Sequence, residues 1–520
     1  MISRLSRIGA AAFAAAVLAV LPVRAEQPPA EPSSEAKPPA KEAPAPPIPP
    51  APKPAVTHHR ITLGAKTIPY TATAGTIDLK DAKGETIARM FSVAYTAEGP
   101  DAKARPVTFA FNGGPGSSSL WLHMGSFGPV RVETSDARPT PPPPYRIVEN
   151  SRSLLDRTDL VFIDAVGTGF SRIVGKGEPR NFYGTDADVE AFAQFIERWV
   201  SANGRWNSPR YLLGESYGTT RGAALLAHLE RAGMAFNGAI FVSSYLNAWD
   251  DFSGPSFSND LPYELYLPTM AATAWYHKKL DPAPPALPAF LDEVRAFALG
   301  EYAQALAKGN HLAEPERAAV AAKLHRYTGL SEAFLRNANL RIDPGRFAKE
   351  LLRGERRTVG RLDARFEGID HDAAGEFPEY DAANNAFGSA FTAALNAYLR
   401  DTLGYQTGDL YKPTNYAEVG KDWDDRHRVG GNRAPMPDVA EDLRQAMTIN
   451  PNLRIFSANG YFDFATPFFE TEYTVAHMGL DPKLEKNISF GYYESGHMIY
   501  LHEPALDALR ADLAKFYDGR

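Results

Sequence analysis

The sequence predicts an α/β fold with a mainly parallel sheet, and three observations point to it. Short apolar runs ("VTFAF", "LVFID", "RYLLG", "AIFVS", "LRIFS", "ISFGY") suit strands buried on both faces. Helical patterns, notably "TDADVEAFAQFIERWVSA" and "TTRGAALLAHLERAG", separate several of them, the alternation expected of βαβ units. The third is a strand–turn–helix unit, "RYLLGESYGTTRGAALLAHL", with a serine at its bend.

Taken in order, the 520-residue chain opens with Arg4 and Arg7 ahead of an apolar, Ala-rich run from Ile8 to Leu21. A small-residue cleavage site follows after Ala25, so residues 1–25 read as a signal peptide. The run is short for a bilayer span, and no stable membrane insertion is expected once it is removed. Residues 26–56 are nearly all Pro, Ala, Glu and Lys, a composition that builds no core and favours an extended, disordered linker. Ordered sequence is expected from Thr57. Two segments rich in Thr, Val, Ile and Tyr predict antiparallel strands, and the α/β alternation then runs to about residue 247. Residues 248–435 are Ala/Leu/Arg-rich and mostly helical, and strand-and-loop chemistry resumes over 436–520. The simplest arrangement is a helical cap inserted between two strands of one sheet, over the edge where such sheets bind ligands.

Composition narrows the function classes. Hydrophobic residues at 44% and charged residues at 22% are ordinary for a soluble protein. A net charge of −7 offers no basic nucleic-acid surface. With no cysteine there is no disulfide framework, thiolate nucleophile or thiolate metal site. No histidine cluster has metal-ligand spacing, and no cofactor is implied.

The serine at the bend is Ser216, within Gly214-Glu215-Ser216-Tyr217-Gly218. A buried strand that ends at a Gly-x-Ser-x-Gly turn and passes at once into a helix is the context of a nucleophile elbow, and the helix N-terminus favours developing negative charge. A serine needs a base and the base an orienting acid, commonly in the order Ser, acid, His. His497, in "YYESGHMIYLHEPAL" after the last expected strand, is the candidate base, and His502 reads as structural. Asp463 in "IFSANGYFDFATP" is the candidate acid, and its rival Asp481 lies in an ordinary turn. Oxyanion donors fit "VTFAFNGGPGSSSLW", where glycines let the backbone approach a ligand. Ser117, Ser118 and Ser119 read as helix-start residues.

Five ordered blocks, "NGGPGSSSLW", "FIDAVGTGFS", "GESYG", "GYFDFATP" and "GHMIYLHEP", resemble the signature blocks of the serine carboxypeptidase family. The resemblance implies an α/β-hydrolase fold and removal of residues from a peptide with a free C-terminus. It implies a triad of Ser216, Asp463 and His497, an oxyanion hole from the N–H groups of Gly114 and Tyr217, and recognition of the substrate carboxylate by Asn112, Gly113 and Glu215. A protonated Glu215 could donate a hydrogen bond to that carboxylate, and burial raises an acid's pKa in the required direction, so activity is expected at acidic pH.

The chain departs from the family pattern in places. Ala110 stands where a tryptophan is usual, Ser117 where a cysteine is usual, and Ser126 at about the place of a second glutamate that pairs with the first. An altered clamp leaves open an esterase, an acyltransferase or another peptidase with the same triad. A non-catalytic peptide-binding module is the alternative outside enzymes.

Overall fold

Residues 48–252, 259–282, 284 and 286–519 are described in the computed structural model. The expected signal peptide and the linker as far as residue 47 lie outside them. Strand β1 (Ala55–Leu63) begins two residues before the Thr57 boundary expected for ordered sequence, and ahead of it the carbonyl of Pro49 accepts a hydrogen bond from Arg89. Among the described residues no helix is long and apolar enough to cross a membrane.

β1, β2 (Lys66–Lys80) and β3 (Thr86–Ala97) form an antiparallel ribbon. The β2–β3 turn closes at "DAKG", where the Asp81 carboxylate accepts from the amides of Lys83 and Glu85. The apolar runs then supply β4 (Val107–Phe111), β5 (Asp159–Ile163), β6 (Arg210–Ser216), β7 (Gly238–Ser244), β8 (Arg454–Gly460) and β9 (Ile488–Tyr493). The strands lie in the order β1-β2-β3-β5-β4-β6-β7-β8-β9, with a two-residue strand at Arg172–Ile173 added to β3. The sheet is parallel from β5 to β9, and the ribbon joins it antiparallel through the β3–β5 pair. Every residue of β4, β5 and β7 is buried, which explains why those runs read as continuously apolar.

Helices cover both faces. On one, α1 (Thr185–Ala202) and α2 (Tyr217–Arg231) pack Phe192, Ile196 and Leu225 against Phe109 and Phe111.

The chain between β7 and β8 is long. Its helices α3 (Leu261–Tyr276), α4 (Leu287–Phe297) and α5 (Glu314–Thr328) share a core of their own, into which Phe462, Phe464 and Phe468 project from beyond β8. A later helix, α6 (Ala382–Ala397), leaves that group and packs Phe387 and Phe391 into the core on the sheet's second face, beside Trp121. The segment is not helical throughout. Arg357–Val359 pairs with Glu367–Ile369, and His427–Val429 with Asn432–Ala434, as two short hairpins. Helix α7 (Ala440–Ile449) completes the crossover to β8 on the first face, and α8 (Glu503–Tyr517) closes the second with Leu506, Leu509 and Leu513.

The strand order reverses around β4, which lies between β5 and β6. The crevice at the C-terminal ends of β4 and β6 is therefore a topological switch point, where α/β sheets bind ligands. Asn112 and Ser216 stand at those two strand ends.

Candidate active site

Ser216 is the last residue of β6 and caps α2, with φ 61° and ψ −134°. A non-glycine residue at such angles is strained, and strain of this kind persists where the surroundings over-determine it. Here β6 and α2 supply the constraint from either side. The loop after β4 presses against the same bend: a Cβ on Gly113 would lie 2.5 Å from the Tyr217 nitrogen, so only glycine fits.

His497 and Asp463 meet as the sequence led us to expect. His497 Nδ1 donates to Asp463 Oδ2 at 2.8 Å, which leaves Nε2 as the nitrogen free to act elsewhere. Asp463 is fully buried and tightly held. Its Oδ1 accepts from the amides of Ala465 (2.7 Å) and Thr466 (3.1 Å), and its Oδ2 accepts from Thr466 Oγ (2.8 Å). Burial works against the charged imidazole of His497, but the charge and hydrogen bond of Asp463, with Glu215 adding to them, outweigh it and raise its pKa.

A cavity of about 580 Å³ is lined by Asn112, Gly114, Glu215, Ser216, Tyr217 and His497 among others. Gly113 lines it too, so the expected triad serine and histidine, oxyanion residues and carboxylate-binding residues share one chamber. Asp463 stands behind His497. The inserted segment contributes Arg361, Asp381, Asn384 and Tyr416 to the same walls.

Asn112 Nδ2 donates to Glu215 Oε1 at 2.8 Å, while Asn112 Oδ1 accepts from the amide of Leu122 at 3.1 Å. The amide orientation is thus set from both ends. Burial pushes the Glu215 carboxyl up to about 7, against the opposing pull of His497, of the Tyr500 hydroxyl and of the hydrogen bond from Asn112. At pH 6 it is mostly neutral. Ser126 does not supply a second acid: its hydroxyl donates to the Leu122 carbonyl on its own helical turn (2.5 Å).

Several residues that hold this site were not apparent from the sequence. Arg221, on α2, is 1% exposed and bonds Asp188 (2.7 Å) and the Asn112 carbonyl (2.7 Å), with its guanidinium 4.2 Å from the Phe192 ring centre. Asp188 also accepts from the Tyr217 hydroxyl at 3.2 Å. One charged side chain thereby ties the ends of β4 and α2 together. The available signal was a lone arginine within the otherwise small and apolar run "YGTTRGAALLA".

A second support comes from the loop of the first hairpin, "GRLDARF". The amide of His497 donates to the Leu362 carbonyl (2.6 Å), that of Ala364 to the Phe462 carbonyl (2.9 Å), and that of Phe464 to the Arg361 carbonyl (3.0 Å). The loop therefore bonds the chain on both sides of Asp463 and at His497 itself. Approach is so close that a Cβ on Gly496 would lie 2.5 Å from Asp363 Cα. Asp363 in turn pairs with Arg365 at 2.6 Å, both buried.

The remaining candidates behave as structural residues. His502 Nδ1 meets Asp136 Oδ2 at 2.9 Å ahead of α8, and the Asp481 carboxylate caps a short helix by accepting from the Lys483 amide. Ser117 accepts from the Trp121 indole, and Ser119 binds Asp164.

The architecture is the α/β-hydrolase fold, with a mixed, mostly parallel sheet flanked by helices. Residues 65–237 match the model of the serine carboxypeptidase family, so the likeness read from the sequence is borne out over that segment. It contains Asn112–Gly114 and Glu215–Tyr217, whereas Asp463 and His497 lie beyond it. Among solved structures, the chain is similar to a prohormone-processing carboxypeptidase from Saccharomyces cerevisiae, at 16% identity and a TM-score of 0.52, covering 86% of this chain and 91% of that one. A proline iminopeptidase from Mycobacterium smegmatis aligns at 13% identity and a TM-score of 0.34, over 89% of this chain and 98% of that one. No curated protein sequence matches the chain significantly.

Proposed function

We propose that the protein is an exported serine carboxypeptidase that removes C-terminal residues from peptides through an acyl-enzyme on Ser216. Ser216 Oγ attacks the scissile carbonyl carbon as His497 Nε2 takes its proton, and Asp463 holds the imidazolium that forms. The N–H groups of Gly114 and Tyr217 receive the oxyanion. The C–N bond then breaks, His497 returns the proton to the departing amino acid, and water releases the shortened peptide by the reverse steps.

The observation that carries this reading is the Asn112–Glu215 hydrogen bond, one residue from Ser216 and in the cavity that His497 lines. A neutral carboxylic acid there can donate to a substrate carboxylate, whereas an ionised one repels it. The sign follows from the raised pKa: recognition is present below about pH 7 and is lost as pH rises through that value. Toward acid, His497 becomes protonated and cannot accept the serine proton. Because the charge of Glu215 raises His497, the two limits belong to a coupled pair.

The test compares a peptide acid with its C-terminal amide between pH 5.5 and 8.5. We expect kcat/KM to favour the acid at the low end by about tenfold or more, with the preference fading across neutrality. Equal rates on acid and amide throughout would leave a serine hydrolase without C-terminal specificity.

Export is supported by the charged N-terminus, the apolar run and the small-residue site after Ala25. N-terminal sequencing of the protein recovered outside the cytoplasm should start at Glu26, and a start at Met1 would count against cleavage.

A further inference from the structure

Two buried polar atoms near Ser216 close no hydrogen bond of full geometry with any of the described residues: Glu215 Oε2 and the Tyr500 hydroxyl. Buried polar groups in folded proteins are almost always partnered, so two such atoms together need an explanation. They are neighbours: burial and the nearby Glu215 carboxyl both raise the Tyr500 hydroxyl well above its ordinary value, and Tyr500 also interacts with Asn112. Tyr500 is 3% exposed, on the single helical turn Ile499–Leu501 that follows His497. Its ring lies where a Cβ on Gly125 would be 2.5 Å from Cε2, so the glycine beside Ser126 makes room for it.

We propose that Tyr500 is the positioning residue of Glu215, with its hydroxyl donating to Oε2 and thereby deciding which way the acid proton points and when it is lost. Asn112 occupies Oε1 as a donor, so the proton of the neutral acid resides on Oε2. A tyrosine O–H directed at an Oε2 lone pair leaves the acid O–H to turn toward the cavity. After ionisation the same hydroxyl still donates, now to a charged oxygen, and such bonds are roughly twice as strong as neutral ones. Tyr500 therefore favours the ionised form, opposing burial. The other ionisable groups around Glu215 are His497 and Asp463, from two loops, and Tyr416, at the head of the short helix Tyr416–Lys421, and a Tyr500 substitution leaves all three in place. The meaning for substrate rests on the carboxylate-recognition reading above, but the pairing itself does not.

The test uses Tyr500→Phe, which keeps the ring and removes only the hydroxyl. Two readouts separate the pairing from the function. In full-length protein carrying Ser216→Ala, the Glu215 side-chain carbon is followed by NMR with labelled glutamate and assigned by its loss in Glu215→Gln. Its midpoint should move up in Tyr500→Phe by on the order of one pH unit. In active enzyme, the rise of peptide-acid KM with pH should move up by the same amount, and combining Tyr500→Phe with Glu215→Gln should abolish the shift. An unchanged carboxyl midpoint overturns the proposal, whatever the enzyme cleaves. A shifted carboxyl midpoint in an enzyme blind to the C-terminal carboxylate upholds the pairing and overturns only the functional reading.

Discussion

Replacing Ser216 with alanine should lower kcat for peptide hydrolysis by on the order of 10⁶-fold while leaving the protein folded. The other serine lining the cavity does not substitute. Ser117 lines the same cavity, but its oxygen accepts from the Trp121 indole and donates to the Ser118 carbonyl. The cavity and the Asn112–Glu215 bond do not depend on the Ser216 hydroxyl, so peptide acids should still bind. Backbone strain is also unaltered, because alanine meets the same positive φ that serine does. Steady-state kinetics, labelling by a fluorophosphonate and a thermal melt would check the prediction together. Substantial hydrolysis by a well-folded Ser216→Ala protein would falsify the acyl-enzyme mechanism.

The second large effect lies outside the reacting groups. Asp363→Ala leaves Arg365, 3% exposed, without its principal partner, and breaking a buried pair in this way costs about 3–5 kcal/mol. Arg365 keeps its contacts with Asp136 (3.1 Å) and Ser495 (3.4 Å), which places the expected loss toward the lower end. Stability is only half of the consequence. Asp363 lies inside the loop whose backbone bonds the chain at Phe462, Phe464 and His497. Loosening it should lower kcat below the denaturation temperature, with KM for a peptide acid affected less, since Asn112 and Glu215 are held at the C-terminal ends of β4 and β6. Denaturant unfolding and kinetics at 25 °C separate the two. A variant that lost stability yet kept full kcat would show that the loop does not position the base.

How much of this was legible beforehand depended on how locally each feature is encoded. The parallel strands were legible because strands buried on both faces must be apolar throughout, as in "VTFAF" and "AIFVS". The bend at Ser216 was legible because strand, serine and helix are contiguous. His497 and Asp463 follow strand ends, where this architecture presents its loops, and the structure brings them within 2.8 Å. Tyr500, Arg221 and the loop at residues 361–365 were not legible. Their roles come from pairings distant in sequence, such as Arg221 with Asn112 and Leu362 with His497, and no periodicity records which buried atom a distant side chain will meet. The hairpin carrying that loop was hidden in the same way, with only Arg357–Val359 and Glu367–Ile369 as strands amid a helical composition.

The bonds from Leu362 and Arg361 to the His497 and Asp463 loops also bear on redesign of the molecule. An insertion that merely roofed a pocket would be a replaceable module, and trading it for another would change selectivity while sparing the chemistry. Here the inserted stretch is wired by its main chain into the loops that carry Asp463 and His497. Shortening the connection from β7 to β8 would remove the main-chain partners of the His497 loop, so on the proposed function selectivity and turnover would be inherited together.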